Sequence, residues 1–201
     1  MSAPMPRLRL AMRALGLGLA SAAVLAALQT RHPAAPAPLI QQFNQRVTAY
    51  VKMLHTAESG VPTSKPTQSS AAVDQRRATV AARVRAARAH AKAGDIFSPA
   101  IAAQFRRWIA ATLAGPNGHA IRVSLANAEP LRTQPLTVNS RYPSDVPLQS
   151  TPPSLLQDLP PLPKELEYRI VGRSLVLRDR DANLIVDFIP DALPASANPA
   201  P

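Results

Sequence analysis

Charged side chains crowd the C-terminal part of this 201-residue chain: Glu165, Glu167, Arg169, Arg173, Arg178, Asp179, Arg180, Asp181, Asp187 and Asp191. Asp187 stands out among them. If Leu184, Val186 and Phe188 face a core, strand alternation puts Ile185, Asp187 and Ile189 on the opposite face, with a carboxylate between two apolar neighbours. A partly desolvated carboxylate demands a counter-charge, and Arg169 and Arg178 on neighbouring strands are the natural partners. The first expectation is therefore a structural ion pair of Asp187 with Arg169 or Arg178 that fixes strand register. The alternative pairs Asp187 with Asp179 or Glu167 as a hydrolytic dyad, in which two carboxyls about 5–10 Å apart divide the acid role from the nucleophile or base role. Those three carboxylates are the only catalytic candidates, and no catalytic role is assigned to any of them.

Other chemistries find little footing. His32, His55, His90 and His119 lie in four separate segments, and no two have the i, i+4 spacing of a helical metal site. Cysteine is absent, which removes disulfides, thiolate nucleophiles and zinc–thiolate sites. Asp179-Arg180-Asp181-Ala182-Asn183 lacks the glycine and distant glutamate of a calcium loop and reads as a turn. No glycine-rich phosphate loop, nucleophile elbow or Ser-x-x-Lys signature occurs. Neither a metal nor a cofactor is expected.

The elements that must position these residues are set by periodicity. Ile40, Phe43, Val47, Tyr50, Val51 and Leu54 recur at steps of three and four, which predicts an amphipathic helix over 39–58 ended by Gly60 and Pro62. Residues 59–70 carry turn formers without periodicity and predict a mobile linker. A second helix is expected over 71–93, capped by Ser69 or Ser70, with Gly94 beyond its end. Its apolar stripe (Val73, Val80, Val84, Ala87, Ala91) is thin, and Arg76, Arg83, Arg85, Arg88 and Lys92 occupy the rest of its circumference. That basic face is either solvated or a polyanion-binding surface. Ser98-Pro99 starts a third helix, whose face of Ile101, Phe105, Trp108, Ile109 and Leu113 is the broadest in the chain; Gly115-Pro116 stops it.

From His119 the pattern predicts extended segments at 119–125 and 131–138. A proline-rich strap at 143–163, ending in Pro160-Pro161-Leu162-Pro163, must run along an edge or the surface. Three strands should then form a meander: Leu166, Tyr168 and Ile170 alternate with polar residues, Leu175 and Leu177 line the next strand, and 184–189 makes the last. The expected fold class is α+β, three N-terminal amphipathic helices followed by a small antiparallel sheet. The single domain should cover 39–191, with a disordered tail at 192–201.

Ahead of it, Arg7, Arg9 and Arg13 precede a charge-free run over 14–30. At about 1.5 Å per residue that run spans roughly 25 Å as a helix, somewhat less than a hydrocarbon core of roughly 30 Å. Residues 1–30 thus read as a signal peptide or an N-terminal anchor, with small-residue cleavage motifs at Ala20-Ser21-Ala22 and Ala35-Pro36-Ala37, and 31–38 as a Pro/Ala tether. Either reading places the domain outside the cytoplasm, periplasmic or on the outer face of the membrane. The net charge of +11 then points to anionic lipid or envelope polysaccharide as partner, with a protein partner also open and no specific nucleic acid.

Four segments carry a resemblance. Ala91-Lys92-Ala93-Gly94-Asp95-Ile96-Phe97 and the run from Glu165-Leu166-Glu167-Tyr168-Arg169 through Val171-Gly172-Arg173, Leu177-Arg178-Asp179 and Ala182-Asn183-Leu184-Ile185-Val186-Asp187-Phe188-Ile189-Pro190, with Val138-Asn139 and Tyr142-Pro143, resemble a family of uncharacterised exported bacterial proteins. The resemblance spans about 39–194 and implies an exported α+β domain, with no activity, substrate or cofactor attached. Three functions are compatible with these features. The favoured one is a non-enzymatic cell-envelope binding or structural module; the alternatives are an exported hydrolase using meander carboxylates and a membrane-tethered accessory protein.

Overall fold

A computed structural model describes residues 37–62, 69–126, 135–143 and 151–195; the expected signal or anchor segment, most of the tether, the middle of the linker and the end of the tail lie outside the described residues. Helix α1 spans Ala37–Glu58 and buries Phe43, Val47, Tyr50, Leu54 and Ala57, one stripe at steps of three and four. Helix α2 spans Ser70–Ala87 and starts where the Ser69 hydroxyl accepts from the Ala72 N–H at 3.4 Å. It ends six residues before the expected Ala93, because Arg88 leaves helical geometry (φ −121°) and the next loop turns back toward the sheet.

Helix α3 spans Pro99–Ala114 and buries Ile101, Phe105, Trp108, Ile109 and Leu113. Trp108 packs edge-on to Phe105 at 5.3 Å between ring centroids, and Phe105 meets Phe43, Phe97 and Tyr168, so α3 is central to the core. Ser98 does not cap it through its side chain; the Ser98 carbonyl accepts from Ala102 instead.

Residues 119–125, expected as a strand, belong to helix α4, Gly118–Ala126. Exposure shows why: Ile121 (2%) and Leu125 (3%) are buried one helical turn apart, whereas Val123 between them is 45% exposed. Gly118 closes the corner between α3 and α4, since a Cβ there would lie 1.8 Å from the Leu113 carbonyl oxygen. Of the expected extended segment 131–138, residues 131–134 lie outside the described residues and 135–138 form no strand. The chain pairs slightly later, with the Asn139 N–H donating to Ile185 O, Ile185 N–H to Ser140 O and Tyr142 N–H to Asn183 O, around an antiparallel bridge of Arg141 with Leu184.

Strands β1 (Leu166–Val171), β2 (Ser174–Asp179) and β3 (Leu184–Ile189) form an antiparallel meander in the order β1-β2-β3. The expected α+β organisation with a C-terminal meander is therefore present. Leu166, Tyr168, Ile170, Leu175, Leu177, Leu184, Val186 and Ile189 face the helices, while Val176, Ile185 and Phe188 pack with Tyr142 and Leu136 on the other side. The described part of the strap, 151–163, runs along the β1 edge as expected: the Thr151 hydroxyl accepts from the Ile170 N–H at 3.1 Å and the Pro160 carbonyl from the Tyr168 hydroxyl at 3.0 Å. It also enters the core, because the short helix α5 (Pro153–Leu156) and the turn after it bury Leu155 and Leu159. Ala192 and Leu193, expected to open a loose tail, are buried as well, with Arg173 donating twice to the Leu193 carbonyl.

One irregularity in β3 decides where Asp187 points. Leu177 pairs with Asp187 but Arg178 pairs with Ile185, so Val186 is an extra residue in β3, a bulge. Beyond it the alternation is reversed: Val186 and Asp187 both turn to the helix side, and Phe188 takes the outer side.

Candidate functional site: closed carboxylates and clamped arginines

Asp187 is fully buried (0% exposed) on the helix side of β3, not on the outer face that regular alternation predicted. Its partner is backbone. Oδ2 accepts from the N–H groups of Ile96 and Phe97, each at 2.8 Å, and from Gly94 at 3.2 Å; Oδ1 accepts from Gly94 at 3.0 Å and from its own neighbour Phe188 at 2.8 Å. Gly94 reaches this geometry at φ +95°, where a side chain is strained. The segment Lys92-Ala93-Gly94-Asp95-Ile96-Phe97 thus wraps its N–H groups around one carboxylate. Asp95 holds the wrap from within by accepting from the Lys92 N–H at 3.0 Å, and Arg46 from α1 donates to the Asp95 carbonyl at 2.5 Å.

The expected pairing of Asp187 with Arg169 or Arg178 is therefore not formed. Both arginines lie on the outer face and converge on Glu167, at 2.8 Å from Arg169 and 2.5 Å from Arg178. Burial pushes Glu167 upward, but the two guanidiniums outweigh it and hold the carboxyl below its usual value. Arg178 also donates to Asn183 Oδ1 at 2.9 and 2.7 Å and lies 4.8 Å from the centre of the Tyr142 ring. Asn183 sits at φ +53° and returns a hydrogen bond to the Tyr142 carbonyl at 3.2 Å.

Asp179, also 0% exposed, belongs to a third and separate arrangement. It accepts from the Tyr50 hydroxyl at 2.7 Å and from the Ala182 N–H at 2.8 Å, the latter making the β2–β3 turn a carboxylate-capped one. Burial pushes the Asp179 carboxyl up despite these bonds, and burial together with Asp179 pushes the Tyr50 hydroxyl far up.

Asp187, Asp179 and Glu167 thus each have their own donors. Glu167 faces the opposite side of the sheet from the other two. The surface concavities along α1 and around α2 are lined by other described residues than these three. Among the described residues the three carboxylates share no hydrogen-bond partner. Among the described residues no group of three His, Asp or Glu side chains could hold a metal. His55 instead meets Glu165 at 3.1 Å.

Four arginines on and just after α2 divide into two sets. Arg76 donates to the Pro62 carbonyl at 3.1 Å and pairs with Glu58 at 3.3 Å, and Arg83 donates to the carbonyls of Ala57 (3.1 Å) and Ser59 (2.7 Å), so both clamp the end of α1. Arg85 and Arg88 clamp the opposite side. Arg85 donates to Asn139 O at 2.9 Å; Arg88 donates to Asn139 Oδ1 (3.1 Å) and Val186 O (3.2 Å) and lies 5.1 Å from the Tyr50 ring centre. Lys92 is exposed in the loop beyond. Asn139 carried no role in the sequence expectations, yet its φ of +64° and its side-chain bond to the Arg88 carbonyl at 2.8 Å make it the receptor for both arginines. Its sequence signals were its place in the Val138-Asn139 pair of the resemblance and a residue type that tolerates the left-handed region.

No family model matches this chain, and no curated protein and no solved structure matches it either.

Proposed function

We propose that the protein is an exported, non-enzymatic binding or structural module of the cell envelope, related to the exported proteins that its C-terminal run resembles. The observation that carries the non-enzymatic part is the closure of Asp187: a carboxylate that already accepts four backbone N–H groups in a fully buried site has no lone pair directed at a substrate. Export rests on Arg7, Arg9 and Arg13 ahead of the charge-free run 14–30. No helix among the described residues is long and apolar enough to cross a membrane, so any anchoring is assigned to 14–30.

The partner is an anionic envelope component, lipid or polysaccharide, attracted by the charge of +11. Arg76, Arg83 and Arg88 are each tied to the fold by two hydrogen bonds and Arg85 by one through its Nε, so anion contact falls to Arg85 and to the exposed Lys92, with their basic neighbours. Co-sedimentation of the full chain with vesicles rich in anionic lipid, and with acidic polysaccharide, tests this. Retention at low salt that disappears as salt rises is expected, because exposed charges are screened within about 8 Å at physiological ionic strength. Absence of retention on both probes at low salt overturns the binding reading. A reporter fused after Ala195 tests export: activity confined to a cytoplasm-dependent reporter overturns it.

A further inference from the structure

We infer that the groove between α2 and the Arg141 bridge is an anion site built for a phosphate monoester group. This rests on the envelope-binding reading and narrows it to one place and one ligand chemistry. The groove has a volume of about 570 Å³ and is lined by three guanidiniums, Arg77 and Arg85 from α2 and Arg141 from the strip beside β3. Among the described residues its one lining carboxylate is Asp74. Two positive charges are left over, which matches the charge of about −1.5 to −2 carried by a phosphate monoester at neutral pH.

The three arginines are differently prepared. Arg85 is held in place by its Nε bond to Asn139 O at 2.9 Å, which leaves the outer edge of its guanidinium for a ligand. Arg141 makes no side-chain hydrogen bond or ion pair among the described residues. Among the described residues Arg77 has only Asp74, at 3.3 Å and itself 64% exposed, and its Nε, shielded from solvent, has no acceptor. An exposed pair of this kind contributes little, so an incoming dianion is the stronger partner. Guanidinium forks match phosphate oxygens two at a time, which a single carboxylate ligand would not saturate. The lining residues Ala71, Ala78, Ala81 and Ala182 carry no side chain beyond Cβ, so a compact tetrahedral group can approach the helix.

The phosphate could arrive as a lipid headgroup or as a free phosphomonoester, and two probes separate these sources. Glycerol 3-phosphate titrated into the full chain should bind saturably, and Arg77→Gln and Arg141→Gln should each weaken it at least tenfold, while Lys52→Gln, which removes one charge from the exposed face of α1, should not. Neither arginine substitution removes a contact the core depends on, and unchanged thermal midpoints check that. Vesicles containing phosphatidic acid should be bound by the native chain and lost with the same two variants if the headgroup is the source. If glycerol 3-phosphate binds while these vesicles do not, the site stands with a soluble ligand. No saturable binding of either probe at millimolar phosphate, or an equal loss with Lys52→Gln, overturns the site. Glycerol 3-phosphate binding that survives Arg77→Gln and Arg141→Gln also overturns it, and vesicle retention that survives them alongside leaves the broader envelope-binding reading intact.

Discussion

The Tyr50 hydroxyl of α1 donates to Asp179 at the end of β2 across 2.7 Å, with both residues buried and 129 positions apart in sequence. This contact ties the first helix to the turn between the last two strands. It also explains a polar pair inside an otherwise apolar interface: each group supplies what the other needs away from water.

Tyr50→Phe should therefore destabilise the domain. Asp179 keeps its backbone donors in the β2–β3 turn but loses the hydroxyl, and a buried polar group deprived of a partner costs about 1–3 kcal/mol. Chemical denaturation measures this, and a change below about 0.5 kcal/mol would mean that water or another group satisfies Asp179.

Acid sensitivity should come from Glu167, with Glu165 also held below its usual value, and be opposed by Asp179. Glu167 is held below its usual value near 4.5, so it loses its proton more readily folded than unfolded; its stabilisation is present above that value and is lost as pH falls through the lower, folded one. Asp179 is raised above 3.8, so protonation favours the fold and stability is recovered as pH falls through its folded value. Glu167→Gln should flatten the fall in stability on acidification below about pH 4.5. An equally steep acid profile in the variant would assign that sensitivity elsewhere.

Arginines that look alike in sequence should differ in consequence. Arg88→Gln removes donors to Asn139 and Val186 and the contact with Tyr50, and should cost about 1–3 kcal/mol. Lys92→Gln, in the exposed part of the loop, should stay within about 0.5 kcal/mol. Paired thermal melts read both, and equal effects would contradict the clamping role of Arg88.

The elements with a strong local pattern were legible in the sequence. Phe43, Val47, Tyr50 and Leu54 announce α1, and Ser98-Pro99 with the Ile101-to-Leu113 face announces α3. The alternation of Leu166, Tyr168 and Ile170 announces β1. Residues 119–125 misled because Ile121, Val123 and Leu125 fit a period of two, while Ile121 and Leu125 fit a helical turn equally well; the corner at Gly118 decides between them. The bulge left no trace, since the extra Val186 is as apolar as its neighbours, and one inserted residue was enough to move Asp187 to the other face. Its true partners are N–H groups of residues 94–97, about 90 positions away, and backbone donors carry no residue-type signature. The arginines of α2 read as a solvated face for a similar reason: their acceptors are mostly carbonyls, present at every position.

Asp187 is the residue whose role separates a structural carboxylate from a catalytic one. Asp187→Asn keeps the shape but turns one acceptor oxygen into an NH2 group facing N–H donors, either those of Ile96 and Phe97 or those of Gly94 and Phe188. Leaving such buried donors unmatched costs about 2–4 kcal/mol in all. Thermal unfolding of the native chain and of Asp187→Asn measures it directly. A midpoint lowered by at least about 5 °C is the result expected of a carboxylate that organises the 92–97 loop. An unchanged or higher midpoint would contradict that role and mark Asp187 as a residue held for chemistry rather than for the fold.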